Sequence, residues 1–425
     1  MNTARNGDRS PLITPDLHDE GHAMIRDVPG GVTAARGFRA AGVHCGVKKS
    51  KKDLCLLVSD RPAAGAAVLT TNRVQAAPVL VVRQQLNTSP TFRAIVVNSG
   101  NANACTGERG LDDAWAMAGA AARAIGVADA EVLVSSTGVI GQFLPMDRVL
   151  EGIALAARRL SAEAGGDAAE AIMTTDTFVK EAAVRCDLGG VPVTVGGMAK
   201  GSGMIAPNMA TMLAFITTDA ALTPGLLQAA LVQATGRSFN RISVDGDMST
   251  NDMAAVLANG MSGAPAITDA ADPSYRVFCE ALEHVLVRLS KMIVVDGEGA
   301  TKFIEINITG AATEDAATAA ARAIANSNLV KTALHGEDAN WGRILAAIGS
   351  SGIDFDPAQV EIFFGDVPIL RRNYRIDFSE EEARKVLEEK EIRITVTLHQ
   401  GEAAATFWTC DLSQEYVAIN ANYRT

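Results

Sequence analysis

The sequence predicts a layered α+β fold, and three observations carry that prediction. Strand-like and helix-like stretches mix irregularly, with hairpin-length gaps, which disfavours a regular βαβ array. Hydrophobic residues make up 48% of the 425 positions and charged residues 20%, an ordinary globular composition. Aromatics reach only 5%, so alanine and glycine fill the space, which suits closely packed layers of helix and sheet.

The elements follow in order. Residues 1–28 read as a flexible tail. Asp8, Asp16, Asp19 and Glu20 and the lack of an apolar stretch argue against a secretory or transit signal. Short apolar runs at 53–59, 78–82 and 94–97 predict strands, because each is bounded by polar or turn residues. The run NSGNANACTG at 98–107 reads as a loop. An alanine-rich helix is expected at 114–125, capped by Asp112 and Asp113 and closed by Gly126. A strand at 131–135 runs into Ser136, Thr137 and Gly138. Strand-like 192–195 leads into a glycine-rich stretch, 196–208, and Thr211 opens the strand TMLAFITTD.

Thr223 and Pro224 signal the start of a helix ending near Gly236. A further helix is expected at 274–290, then strands at 292–295 and 303–308. The last hundred or so residues predict helices at 313–325 and 379–389, the second opened by the capping box Ser379 and Glu382. Strands are expected there at 360–364, 391–398 and 403–410. No internal repeat or low-complexity linker interrupts the chain.

Composition also excludes functions. The net charge of −11 opposes a phosphate backbone, so nucleic acid is not an expected partner. The basic run of Lys48, Lys49, Lys51 and Lys52 reads as a solvated turn. Cys45, Cys55, Cys105, Cys186, Cys279 and Cys410 are scattered, with no CxxC pair and no histidine at ligand spacing. They read as reduced thiols acting as small buried hydrophobes, not as a disulfide frame or zinc site. No apolar run reaches membrane-spanning length. A cytoplasmic protein without metal or membrane partner is expected.

Thr211 draws attention on chemical grounds. Small residues, Asn208, Met209 and Ala210, precede it, and an apolar strand starts at it. Gly197, Gly201 and Gly203 permit close approach of the backbone to another group. A threonine hydroxyl is a weak nucleophile without a base. Cleavage of the bond before it frees an α-amine of pKa about 7.7–8.0, which can serve as that base. The same hydroxyl can make the cut by attacking the Ala210 carbonyl. Read alone, the signal is weak, and a plain glycine-rich loop before a strand is the commoner reading of such a stretch. It lacks the phosphate-loop spacings GxGxxG and GxxxxGK[ST] in proper context.

The wider sequence resembles the ornithine acetyltransferases, the bifunctional glutamate N-acetyltransferases of arginine biosynthesis. The resemblance rests on ordered blocks from about residue 37 to the end. They include TTNRVQAAPV, VVNSGNANACTG, SSTGVIGQFLPM, IMTTDTFVK, GMAKGSGMIAPNMATMLAFITTD, SFNRISVDGDMSTND, SKMIVVDGEGATKF, LHGEDANWGRI and INANYRT. It implies a helix–sheet–sheet–helix main domain over about 29–305 and a smaller C-terminal α/β domain over about 306–425. It implies self-cleavage between Ala210 and Thr211 into an α chain (29–210) and a β chain (211–425), assembled as an α2β2 heterotetramer. It further implies ping-pong transfer of an acetyl group from N-acetylornithine to glutamate through Thr211, releasing ornithine. No cofactor is implied, and acetyl-CoA enters as a second donor in some members.

Site residues carry over from the matching blocks. Thr137 and Gly138 are implied as the oxyanion hole. Thr174 and Lys200 resemble substrate-binding positions, with Thr175 and Thr177 as adjacent alternatives to Thr174. Lys200 suits the α-carboxylate shared by ornithine and glutamate. Glu298 resembles an acidic ligand for a substrate ammonium group. Asn420 and the terminal Thr425 complete the pocket by analogy. His335 is given no role, and Asp245 and Asp247 read as hydrogen-bond anchors, not metal ligands. Two neighbouring readings keep the mechanism, a self-cleaving aminopeptidase or amide hydrolase and an antibiotic-pathway acetyltransferase. A non-enzymatic binding protein on an inactivated scaffold would lose Thr211, Thr137, Gly138, Lys200 or Glu298, and all are present.

Overall fold

The computed structural model describes residues 25–89, 91–206 and 212–422. The first half builds β1 (Ile25–Asp27), β2 (Phe38–Val43), β3 (Leu54–Leu69), α1 (Ala77–Thr88), β4 (Phe92–Asn101) and α2 (Gly107–Ile125). It continues with β5 (Val132–Val139), α3 (Met146–Arg158), α4 (Gly165–Ile172), β6 (Lys180–Leu188) and β7 (Val191–Lys200). Next come β8 (Leu213–Thr218), α5 (Pro224–Gly236), β9 (Ile242–Ser243), β10 (Met253–Ala258) and α6 (Pro273–Val295).

These elements form a helix–sheet–sheet–helix stack. One sheet runs β1-β6-β7-β8-β10-β3, and β3 continues into a second with β2, β4 and β5. Side chains of the first sheet alternate between its faces. Leu213 and Phe215 of β8 face the interior between the sheets, while Ala214 and Ile216 face α5 and α6. The second sheet is buried on both faces, so β3 and β4 read as unbroken apolar runs, LCLLV and AIVV. β6 and β7 are joined by Gly189 and Gly190, both at positive φ, the backbone a two-residue hairpin turn requires.

The remaining chain forms β11 (Phe303–Ala311), α7 (Glu314–Ala325), α8 (Asn328–His335), α9 (Trp341–Gly349), β12 (Glu361–Phe364) and β13 (Val367–Leu370). It ends in α10 (Glu380–Leu387), β14 (Glu391–Thr397), β15 (Ala403–Cys410) and α11 (Gln414–Ala421). Its sheet is ordered β13-β12-β14-β11-β15-β9, so the main stack lends β9 as an edge strand. Ile304, Ile306 and Ile308 pack there against α7 in a separate core.

Several expectations are corrected. Residues 78–82 lie in α1, not a strand. Pro78 sits in the first turn, where its missing N–H is harmless, and Val79 and Val82 share a buried face. Tertiary packing overrides the strand preference of a valine run. Residues 292–295 end α6, continuing the buried spacing of Val285, Leu286, Leu289 and Ile293. Helix α2 begins at Gly107, so Asp112 and Asp113 lie inside it, and β4 extends through Asn101 into the expected loop. Ile25–Asp27 pairs with β6, so regular structure begins inside the stretch read as a tail.

The lysine turn is only partly solvated. Lys48 Nζ donates to the Met173 carbonyl at 2.6 Å, and Lys52 pairs with Asp167 and Glu170. Cys105 is exposed, unlike the buried Cys55, Cys186 and Cys410. Among the described residues, no helix is long and apolar enough to cross a membrane.

Candidate active site

A cavity of about 230 Å³ opens where β5, β7 and α11 converge. Its lining includes Thr137, Gly138, Thr174, Lys200, Glu298 and Asn420. These residues are far apart in sequence and meet because β5, β7, α4, α6 and α11 all end around one point. Ala210, Thr211 and Thr425 lie outside the described residues. The strand that follows Thr211 is fixed: Lys200 pairs with Leu213 in the β7–β8 ladder, two residues beyond Thr211.

The end of β5 places the two residues expected to form the oxyanion hole, Thr137 and Gly138, on the cavity wall. Thr137 is buried, and its hydroxyl has no hydrogen bond to a described residue. Gly138 has φ +133 and lies against the backbone of β4. Two side chains hold this strand end. Ser136 Oγ donates to Asn98 Oδ1 at 2.6 Å, and Asn251 Nδ2 donates to the carbonyls of Ser136 (2.8 Å) and Ala102 (2.6 Å).

Lys200 and Glu298 bring opposite charges to one small space. Lys200 is 2% exposed and Glu298 8%. Lys200 Nζ has no hydrogen-bond partner among the described residues. Burial lowers its pKa, and Lys180 adds to that, against the carboxyl groups of Asp176, Asp252 and Glu298. Glu298 Oε2 accepts from Asn420 Nδ2 at 2.8 Å, which ties α11 to the site. An ammonium without an acceptor among the described residues and a carboxylate anchored by an amide suit a ligand carrying both charges.

Beneath them lies a buried ionic network that sequence reasoning misses. Lys180 Nζ bridges Asp176 Oδ1 (2.7 Å) and Asp296 Oδ2 (2.5 Å), all three essentially without solvent. Burial works to raise the Asp176 carboxyl, but Lys180, Lys200 and the Gly201 N–H outweigh it and hold it below the usual range. Asp176 accepts from the N–H groups of Thr174 (2.9 Å) and Gly201 (2.7 Å). Asp296 accepts from Thr177 N and Thr177 Oγ1, and the Glu298 N–H donates to the Ser202 carbonyl at 2.9 Å. The network therefore fixes segments 174–177, 200–203 and 296–298 together.

It also separates the neighbouring threonines: Thr174 and Thr175 line the cavity, while Thr177 is committed to Asp296. The missed residues carry one signal. Asp176, Lys180 and Asp296 are charged residues inside otherwise apolar or small-residue blocks. Asp245 is the anchor expected, accepting from the N–H groups of Met204 (2.6 Å) and Ile205 (2.8 Å) and from Tyr416 Oη (3.1 Å). His335 pairs with Asp411 at 2.7 Å and does not line the cavity.

Several known proteins are similar to this chain. The family model described as ArgJ family matches residues 39–425. An arginine biosynthesis bifunctional protein ArgJ from Symbiobacterium thermophilum is 56% identical over 93% of this chain and 99% of its own. Its counterpart from Caldanaerobacter subterraneus is 52% identical over the same shares. Among solved structures, ornithine acetyltransferase from Mycobacterium tuberculosis, complexed with ornithine, is 44% identical. It covers 43% of this chain and 98% of its own, with a TM-score of 0.40. Matched by the family model over residues 39–425, and more than half identical to the Symbiobacterium and Caldanaerobacter proteins over nearly their whole lengths, the chain belongs to the ArgJ family.

Proposed function

We propose that this arginine-biosynthesis acyltransferase cuts its own chain between Ala210 and Thr211 and then moves acetyl from N-acetylornithine to glutamate through acetyl-Thr211. The observation that carries the reading is the meeting of Lys200 and Glu298 with Thr137 and Gly138 in one cavity, beside the strand that Thr211 precedes. Donor and acceptor share an α-carboxylate, which Lys200 would hold. Ornithine adds an ammonium group, which suits Glu298.

The chemistry follows from these parts. Thr211 Oγ attacks the acetyl carbonyl carbon while its freed α-amine takes the hydroxyl proton. The oxyanion forms against the Thr137 hydroxyl and the Gly138 N–H. The C–N bond breaks, ornithine leaves with the proton, and an acetyl ester remains on Thr211. The amine of glutamate attacks that ester, and Thr211 regains its proton. Acetyl-CoA reaches the same ester by losing its thiol.

The two fragments would stay together, because β8 follows the cut yet lies hydrogen-bonded to β7, which precedes it. Their pairing into α2β2 follows from the family resemblance, as does a cytoplasmic location, to which six unpaired cysteines conform.

Incubating purified protein with glutamate and either N-acetylornithine or acetyl-CoA tests the reaction, read as N-acetylglutamate formed. Two fragments of similar size on a denaturing gel and product from N-acetylornithine are expected. Release of free acetate in place of transfer would turn the reading to a hydrolase.

Gly203→Ala tests the role of Glu298. A Cβ at Gly203 would lie 2.7 Å from Glu298 Oε1 and closer still to Oε2 and Cδ. The carboxylate must then swing off Asn420. Losing a charged hydrogen bond costs about 1.5–3 kcal/mol. KM for N-acetylornithine should therefore rise roughly ten- to a hundredfold, with a smaller change in kcat. An unchanged KM would place the ammonium elsewhere.

A further inference from the structure

One buried carboxyl group has no part in the transfer chemistry above, yet it is fastened to the nucleophile strand. Asp252 lies immediately before β10 and is 0% exposed. Its Oδ1 accepts from the Met212 N–H at 2.9 Å. That nitrogen is bonded to the carbonyl carbon of Thr211, so only three bonds separate it from the nitrogen freed by the cut. The surrounding backbone fixes the carboxyl from both sides. The Asp252 carbonyl accepts from Thr70 N at 3.0 Å, and the Met253 N–H donates to the Met212 carbonyl at 3.2 Å.

Its second oxygen, Oδ2, is buried and has no hydrogen-bond partner among the described residues. Three other buried aspartates, Asp176, Asp296 and Asp53, are handled differently. Asp176 and Asp296 each take a lysine ammonium and several N–H or O–H donors. Asp53 takes three backbone N–H groups. An ionised carboxylate needs donors on both oxygens when buried, whereas a neutral acid carries a proton on one and offers it as a donor.

We propose that Asp252 is the proton carrier of self-cleavage, giving its proton to the Thr211 nitrogen and taking back the one the Thr211 hydroxyl loses. The inference rests on the self-cleavage reading above. In the step, Thr211 Oγ bonds to the Ala210 carbonyl carbon, and the carbon–nitrogen bond breaks with its electron pair going to nitrogen. Nitrogen takes the proton from Oδ2, and the carboxylate so formed takes the hydroxyl proton. Asp252 ends as it began, a proton has moved from oxygen to nitrogen, and an Ala210 ester remains for water to hydrolyse. Before the cut no free α-amine exists to do this work, which is why cleavage needs a group that transfer does not.

The surroundings support a neutral acid. Burial pushes the Asp252 carboxyl well above the usual range, against the Met212 N–H, Lys200 and the nearby Ser249 hydroxyl. Lys200, at the end of β7, is the charged group that faces it. The Met212 N–H, just before β8, meets its Oδ1, while the Thr70 N–H, just after β3, is taken by the Asp252 main-chain carbonyl.

The full-length chain, translated without cells and followed on a denaturing gel from pH 6 to 10, tests the proposal. Wild-type cleavage should slow at the alkaline end, where the acid loses its proton. Asp252→Asn keeps an acceptor for the Met212 N–H but has no proton to carry. It should cleave at least ~10²-fold more slowly, the usual range for a positioned acid–base group. Asp252→Glu should restore measurable cleavage together with the alkaline fall. Cleavage of Asp252→Asn at the wild-type rate would overturn the proposal. Should that variant not fold, judged by thermal melting, the wild-type profile decides: a flat or rising alkaline limb overturns it. A wild-type chain that stays whole at every pH refutes the self-cleavage reading itself, a distinct outcome.

Discussion

Thr211→Ala is expected to remain one chain and to make no N-acetylglutamate above background. Two functions vanish with one oxygen. In the proposed mechanism the hydroxyl is the attacking group of the cut, so the Ala210 carbonyl would never be esterified. There it is also the acceptor of the acetyl group, so the ping-pong sequence would have no intermediate. Without the cut the α-amine stays locked in a peptide bond and cannot act as base. Removal of a nucleophile in other acyl-transfer enzymes costs on the order of 10⁶ in kcat. The remaining cavity would still bind: Lys200, Glu298 and Asn420 are unaffected, because segments 200–203 and 296–298 are fixed by Lys180, Asp176 and Asp296. Isothermal titration of Thr211→Ala with N-acetylornithine should therefore still show binding. Thr211→Ser, which keeps a hydroxyl, should cleave and turn over. Robust transfer by Thr211→Ala would remove Thr211 from the mechanism.

The sequence makes some of this site legible and hides the rest, for physical reasons. Thr137, Gly138, Thr174, Lys200, Glu298 and Asn420 come from contiguous blocks, and they line one cavity. What no block shows is which charged residues neutralise one another across distance. Lys180 meets Asp296 over 116 positions, and Asn251 reaches Ser136 over 115. Such pairs are products of sheet order, and a single chain carries no trace of sheet order before it folds. The fold behaves similarly. The apolar β8, the proline-started α5 and the capped α10 are visible from local pattern. The valine run of α1 and the end of α6 are misread because short apolar runs fit strand and helix alike, and packing decides between them. The edge strand β9, two residues long, belongs to the C-terminal sheet only through its pairing with β15.

Gly138→Ala is expected to reduce both cleavage and transfer more than removal of one oxyanion donor would. The φ of +133 at Gly138 is a conformation that side chains oppose. An added Cβ would lie 2.7 Å from Gly100 Cα and closer still to Gly100 C and Asn101 N. Those are backbone atoms of β4, and Ser99 and Asn101 both pair with Thr137, so β4 cannot yield without moving Thr137. The strand end is also held from the other side by Asn251 on the carbonyls of Ser136 and Ala102. Relief must therefore come from rotating the 137–138 peptide, which carries the Gly138 N–H away from the developing oxyanion. Loss of one such donor costs about 10²–10³ in kcat. Displacing Thr137 with it should exceed that, while Lys200 and Glu298, on other elements, keep KM within a few-fold by the same reasoning. Steady-state kinetics of the variant, with a thermal melt to confirm folding, gives the check. A folded Gly138→Ala protein with wild-type kcat would show that the oxyanion is stabilised somewhere other than the end of β5.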